Sequence, residues 1–458
     1  MSKAAVVGAV VIIGVGVVGG GGYYYMSNKA NQELQNTISL IEKSAPGLSI
    51  KYESSSVSPF SQSATLQKLI IKDKDGQEYT ADTLTLSGVS DGKVDTIAVD
   101  KFHTEMQGGK IDAAHIDVKN LDVPTGAIIV EDGKIKKIYP SKISFDLLNI
   151  QNASAFGPDK TGGTFAQYEL KNYGLKRNSD QVLKQVDVKA TTDGKEFLKL
   201  NQVQVNGLDL AGIIELVEQG QKPRAISGQP SKGTLEGLTA HVDDQDWSLD
   251  KFETDNSVAA NGDLKSSAVF SGFKVSTAHN ARLFLLKEMG YDQIDVSGNI
   301  SGNYIKAKQE WSFTPFDISI KDVGNLNANM QFTAPEDLSN VDPQEVMSSY
   351  KLISLKVTLQ NKGLLEKIFA KTAKEKNITA DQAKENIVTM IKQDAQTATI
   401  PVQKQGDEAF IALINDPKQS LVIQVKPAQP VTALELMGKS QSEILDALNL
   451  SIKAEATK

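Results

Sequence analysis

Ile116-Asp117-Val118-Lys119-Asn120-Leu121 decides the reading of this chain: two apolar residues alternate with two charged ones, and a turn-forming Asn precedes the next apolar residue. Period-two alternation sends Ile116 and Val118 to one side of a β-strand and Asp117 and Lys119 to the other, and Asn120 allows a bend or bulge before the chain returns. The hexamer recurs loosely as Leu84-Thr-Leu-Ser-Gly88-Val89, Tyr168-Glu-Leu-Lys-Asn172-Tyr173, Val203-Gln-Val-Asn-Gly207-Leu208 and Ile318-Ser-Ile-Lys-Asp322-Val323. Its spacing is too irregular for a repeat architecture. It describes a long, curved antiparallel sheet that meanders from Leu48 to about Gln360.

Outward from that pattern the texture changes. Leu210 to Gln219 and His279 to Met289 carry apolar residues at helical spacing and stop at Gly220 and Gly290, so two short helices are expected to cover the sheet. Residues 220–233, rich in Pro, Gln, Ser and Gly, read as an internal boundary. After Gln360, helices are expected over Gly363 to Lys376, Thr379 to Gln396 (with a Thr379/Gln382 capping box), Asp407 to Ile414 and Glu443 to Leu448, with a strand at Leu421 to Lys426. The fold class is therefore mainly β with a helical C-terminal part (α+β), residues 361–458 forming a cap on a strand-rich body over 48–360.

The N-terminal side is of another kind. Ala4 to Met26 is uncharged, and its 23 residues span roughly 35 Å as a helix against a hydrocarbon core of about 30 Å. Val6, Val11, Ile12, Ile13 and Val17 supply the apolar surface, and Tyr23, Tyr24 and Tyr25 stand where rings favour the membrane interface. A single transmembrane helix over 1–26 is expected. The competing reading is a cleaved signal peptide, because Gly19 to Gly22 weaken the helix and offer small residues for cleavage. Lys3 ahead of the span points the body away from the cytoplasm. Gly14, Gly16 and Gly19 spell a literal G-x-G-x-x-G, but no amphipathic helix follows to meet a pyrophosphate. Residues 27–47 then read as an amphipathic helix, with Ala30, Leu34, Ile38, Ile41 and Ala45 on one face.

Composition narrows the classes of function. Forty-nine Lys and Arg against 56 Asp and Glu leave a net charge of −7, evenly mixed, which disfavours nucleic acid as a partner. The absence of Cys excludes disulfides, thiolate chemistry and lipoprotein attachment. His103, His115, His241 and His279 show no metal-ligand spacing, and His115 reads as a sheet-surface residue. Asp73 to Gly76 reads as a hairpin turn and Asp243 to Asp246 as an acidic loop, each short of a calcium site. No enzyme chemistry, cofactor or metal is expected.

The anchor, the amphipathic helix, Leu48-Ser-Ile-Lys-Tyr52 leading to Ser58-Pro-Phe-Ser-Gln-Ser63, and a second strand over Ala64 to Ile71 together resemble the YdgA-type family of unknown function in Gram-negative bacteria, and more loosely the AsmA and TamB group. The likeness covers about the first 90 residues, as far as element order can be followed by pattern. Ser58-Pro59 stands where an Arg-Gly pair is usual in that family, and the helical tail is not obviously shared. The resemblance implies an inner-membrane, single-pass protein with a periplasmic C-terminal body and a role in envelope lipid homeostasis or outer-membrane assembly. On that basis Leu84, Leu86, Ile116, Val118, Val203 and Val205 are expected either to line an apolar groove for acyl chains or an unfolded client strand, or to form an ordinary core beneath helices. The alternative role is a scaffold that binds another envelope protein through a strand edge or the tail.

Overall fold

The computed structural model describes the chain from residue 32 to 456, apart from 33, 37, 40–41, 44–46, 59–62, 74–75, 90–91, 107, 132–133, 222–229, 279–280 and 337–342. The anchor expected over 1–26, with Val6, Val11, Ile12, Ile13, Val17 and the three tyrosines, lies outside the described residues, as does His279. Among the described residues no helix is long and apolar enough to cross a membrane. The chain is mainly β, with a long antiparallel sheet and some helices. It forms two compact units, residues 1–223 with 231–236, and residues 224–230 with 237–458.

In the first unit β1 (Ser49–Lys51) and β2 (Ser54–Ser58) both pair with β3 (Ser63–Lys72). From β3 the chain meanders through β4 (Glu78–Ser87), β5 (Lys93–Met106) and β6 (Gly109–Asp122), each antiparallel to the one before. A separate ribbon of β7 (Ile128–Glu131) and β8 (Lys134–Ile138) interrupts it. The meander resumes as β9 (Phe145–Phe156), which pairs with β6, then β10 (Gly162–Tyr173), β11 (Ser179–Lys189) and β12 (Phe197–Leu208). Helix α1 (Leu210–Glu218) follows, its N-terminus capped by the Asp209 carboxylate, which accepts from the Gly212 N–H. The described residues of the amphipathic segment between 32 and 43 are helical. Leu34 and Ile38 pack on the buried cluster of Leu66, Leu69, Tyr79 and Leu84, and the Ile50 N–H donates to Glu42 Oε1 at 2.7 Å.

The second unit takes up β13 (Ser231–Val242) from Gly237 onward and turns at Asp243 and Asp244, both left-handed, into β14 (Gln245–Val258). The expected acidic loop is thus a tight hairpin. β15 (Leu264–Ser276), α2 (Phe284–Glu288), β16 (Gln293–Ile305), β17 (Glu310–Ile320), β18 (Gly324–Thr333), α3 (Pro343–Ser349) and β19 (Lys351–Asn361) continue the antiparallel order. Helices α4 (Leu364–Lys376), α5 (Ala380–Thr397) and α6 (Pro401–Asn415) then bury Phe369, Ile391 and Leu413 against one another and against Leu421. Both bonds of the Thr379/Gln382 capping box form, at 2.9 and 3.1 Å. The tail is not wholly helical: β20 (Gln419–Val425) and the short β21 (Val431–Thr432) pair with β19, helices α7 (Ala433–Leu436) and α8 (Gln441–Leu448) follow, and β22 (Leu450–Ala456) pairs with β20. β22 was not expected, because Leu450-Ser-Ile-Lys-Ala-Glu-Ala456 is short and the chain before it is helical.

The turn residue of the recurring hexamer has one conformation throughout. Gly88, Asn120, Asn172, Gly207 and Asp322 all have positive φ, between 52° and 77°. At Asn120 and Asn172 the ladder skips one pair without a change of register, at Gly207 it shifts by one residue, and Gly88 and Asp322 stand just past the ends of β4 and β17; Val118 and Leu121, like Leu170 and Tyr173, therefore reach the same face after a step of three instead of two. A second line crosses the first unit where the ladders skip one residue on both strands without a change of register, at Lys68 opposite Asp82, Lys101 opposite Ala114, Asn152 opposite both Ala114 and Ala166, and Gln185 opposite Asn201. Lys68, Lys101, Asn152 and Gln185 have φ of 54°, 51°, 49° and 51°.

Gly88 cannot be replaced cheaply, since a Cβ there would run into the Asp95 side chain as well as adopt φ +61°. Gly406 sits in α6, where a Cβ would make an ordinary 3.5 Å contact with Ile452 Cδ1. In urea unfolding, Gly88→Ala is expected to lose about 1–3 kcal/mol and Gly406→Ala to gain about 0.5–1 kcal/mol.

Candidate functional site

Cross-strand register gathers the apolar residues of the first unit into rows. One row runs Leu66, Leu84, Val99, Ile116, Ile150, Tyr168, Leu183, Val203 from β3 to β12. The next runs Leu86, Ile97, Val118, Leu148, Leu170, Gln181, Val205. All six residues expected at a groove therefore share one sheet face. Beyond the line of insertions the parity of every strand reverses, and the same face continues as Leu69 and Ala81 on β3 and β4, as Phe102, Ala113, Ala153 and Phe165 from β5 to β10, and as Val186 and Leu200 on β11 and β12.

A cavity of about 810 Å³ opens on the second unit among mixed polar and apolar residues, but the larger one, about 920 Å³, lies on this apolar face. Leu84, Ile116 and Val118 line it; Leu86 packs instead against the buried cluster, and Val203 and Val205 lie beyond its border on the same rows. The small side chains of Ala81, Ala113, Ala153 and Ala155 leave its volume open, between the larger walls of Phe102 and Phe165. Leu210 and Ile214 of α1 line one end, together with Pro140 and Ile143. Ile116, Val118, Leu148 and Ile150 are only half-buried, so the face is neither solvent-free core nor bare surface.

The trough offers little polarity. Thr104 Oγ1 donates to the Glu78 carbonyl at 2.7 Å, and Tyr173 Oη donates to the Pro140 carbonyl at 3.0 Å while its ring stacks on Phe145 at 4.8 Å. Burial, reinforced by Glu218 and Tyr168, pushes the Tyr173 phenol up to about 12, so it stays neutral. Asp112, the charged residue on the border, turns its carboxylate to His103 Nδ1 (2.6 Å) and Ser154 Oγ (3.3 Å) on the opposite face.

Charge collects on that opposite face. Asp82 accepts from Lys68 at 2.7 Å and Lys101 at 2.6 Å, tying together two residues held in left-handed backbone. His115 Nδ1 meets Asp100 at 2.7 Å, and the His115 side chain is 35% exposed on the sheet surface; in the second unit, His241 Nδ1 meets Asp246 at 2.8 Å. Among the described residues no group of three His, Asp or Glu is placed to hold a metal ion. Gly88-Val89-Ser90-Asp91-Gly92 spells the nucleophile-elbow string G-x-S-x-G. It joins strand β4 to strand β5, whereas an elbow turns from strand into helix.

The residues that the sequence pattern missed are those beyond the insertions. The signal was the spacing: Leu66 to Leu69, Ala81 to Leu84, Val99 to Phe102, Ala113 to Ile116 and Phe165 to Tyr168 are all steps of three. A family model described as an uncharacterized protein matches residues 317–455, wholly within the second unit and outside the trough. No curated protein matches the chain.

Lys101, then Lys68, hold the Asp82 carboxyl down from its ordinary 3.8 to about 2. A depressed carboxyl stabilises fully above its unfolded value and loses that contribution as pH falls through the folded one. The Asp82 contribution to the unfolding midpoint is therefore expected to be constant from pH 7 to about 5 and to fall between about 4 and 2. Asp82→Asn should flatten that part of the acid limb when midpoints are measured against pH.

Proposed function

We propose that this protein is a non-enzymatic, membrane-tethered envelope protein whose first unit shelters the acyl chains of lipids. The observation that carries the reading is the unfilled volume of about 920 Å³ on an apolar sheet face. A pocket of roughly 300–1,000 Å³ is the size that holds a small ligand. Each methylene moved from water into such a trough contributes about 0.8 kcal/mol, so a 16-carbon chain gains roughly 12 kcal/mol before ordering costs.

Hydrocarbon fits the walls better than an unfolded strand does. The floor is a sheet face whose backbone groups are paired in the plane of the ladders, so a peptide in the trough would bury N–H and C=O groups without partners, at about 1–3 kcal/mol each. The apolar span over 1–26 supplies the tether, Lys3 orients the body to the periplasm, and the likeness to the AsmA and TamB group agrees with lipid handling in the envelope.

The test is lipid content. Organic extraction of the purified protein followed by mass spectrometry should return acyl lipid near stoichiometry, and the Ala113→Trp, Ala153→Trp double variant, which fills the trough from its floor, should retain at least about tenfold less with an unchanged far-UV spectrum. Wild-type protein free of lipid would overturn the reading. For the tether, the intact mass of protein from the membrane fraction should include residues 1–26.

A further inference from the structure

The trough has a cationic lip. Lys137 and Lys142 bring their ammonium groups to 4.4 and 4.6 Å from the centroid of one ring, Tyr139. Among the described residues neither lysine has a carboxylate within ion-pairing distance, whereas most lysines along the outer faces of β3 to β6 do. Glu218, which reaches the turn between the two lysines, is engaged by Ser141: its carboxylate accepts from Ser141 Oγ at 2.6 Å and from the Ser141 N–H at 3.2 Å. Both lysines are exposed, and Pro140 and Ile143, the chain neighbours of Tyr139 and Lys142, line the cavity.

We infer that Lys137, Lys142 and Tyr139 form a headgroup site, and that the occupant of the trough is an anionic acyl lipid whose phosphate rests on this lip while its chain runs from there along the apolar face toward Phe102 and Phe165. The inference rests on the lipid reading of the trough and adds the charge of the ligand to it. Both ammonium groups lie 4.4 and 4.6 Å from one ring centroid, and cation–π attraction limits their freedom without neutralising their charge, which lowers the ordering cost of meeting an anion. The choice of sign is local: the chain as a whole carries −7, so an anion is drawn to this lip against the average field of the protein. The lining of the trough offers a phosphate no cation: its one charged residue is Asp112, whose carboxylate meets His103, and Thr104 Oγ1 and Tyr173 Oη already donate to carbonyls.

The experiment uses the full chain in a non-ionic detergent, titrated with phosphatidylglycerol and with phosphatidylcholine bearing the same fluorescent acyl chain. Wild type should prefer phosphatidylglycerol by about tenfold, the scale set by two lysines near an anionic headgroup, and the preference should shrink as salt rises. Lys137→Gln with Lys142→Gln should bind both lipids alike, at the wild-type affinity for phosphatidylcholine, which also shows that the variant is folded. A wild type without preference, or a double variant that keeps it, would overturn the headgroup site and leave the trough standing. Failure of wild type to bind either lipid would overturn the trough reading and this inference together.

Discussion

A left-handed residue inserted into a β-strand reverses the side on which every later residue of that strand projects. In the first unit such residues stand on alternate strands, at Lys68, Lys101, Asn152 and Gln185, each opposite a residue that leaves the ladder with it, and the apolar face depends on the step of three that both strands then take. Lys68, Lys101, Asn152 and Gln185 accept a backbone region that costs an L-residue about 1–2 kcal/mol. Were a single strand to lack its insertion, its residues beyond the line would turn their apolar side chains to water and their charged ones into the trough. The insertions also sharpen local twist, which suits a face that curves around a cavity.

Two faces of opposite character follow from that one constraint. On the inner face Leu84, Ile116 and Ala113 line an open volume with almost no polar groups. On the outer face Asp82 bridges Lys68 and Lys101 next to the insertions, so the residues that carry the unusual backbone are also those whose long side chains find a partner. Exposed ion pairs of this kind contribute little to stability individually. Their effect is to hold the outer side chains to one sign of neighbour at the line where the strand parity changes.

Much of the architecture was legible because alternation and turn chemistry are local. The hexamers placed five strands, and the residue singled out for a bend in each, Gly88, Asn120, Asn172, Gly207 and Asp322, is left-handed in all five. The Thr379/Gln382 box and the glycines after α1 and α2 marked helix ends for the same reason. The second line of insertions was not legible, since Lys68, Lys101 and Gln185 carry no preference for left-handed backbone and only the step of three between apolar residues betrays them. β22 escaped as well: it gains its ladder from β20, and nothing within its seven residues specifies that partner.

By itself the sequence determined that this chain is strand-rich, that Leu84, Leu86, Ile116, Val118, Val203 and Val205 alternate with polar neighbours, and that an apolar segment precedes the body, because period, turn chemistry and hydropathy act over a few residues. Only the tertiary structure decided which of those six meet at the cavity, that Ala113 and Ala153 rather than larger residues leave it open, and that Lys137 and Lys142 share one ring at its lip. Register across strands distant in sequence sets the first two, and register is a property of pairs of strands that no single strand encodes; the third follows from the turn at Pro140–Lys142, which folds Lys142 back to the ring that Lys137 also meets.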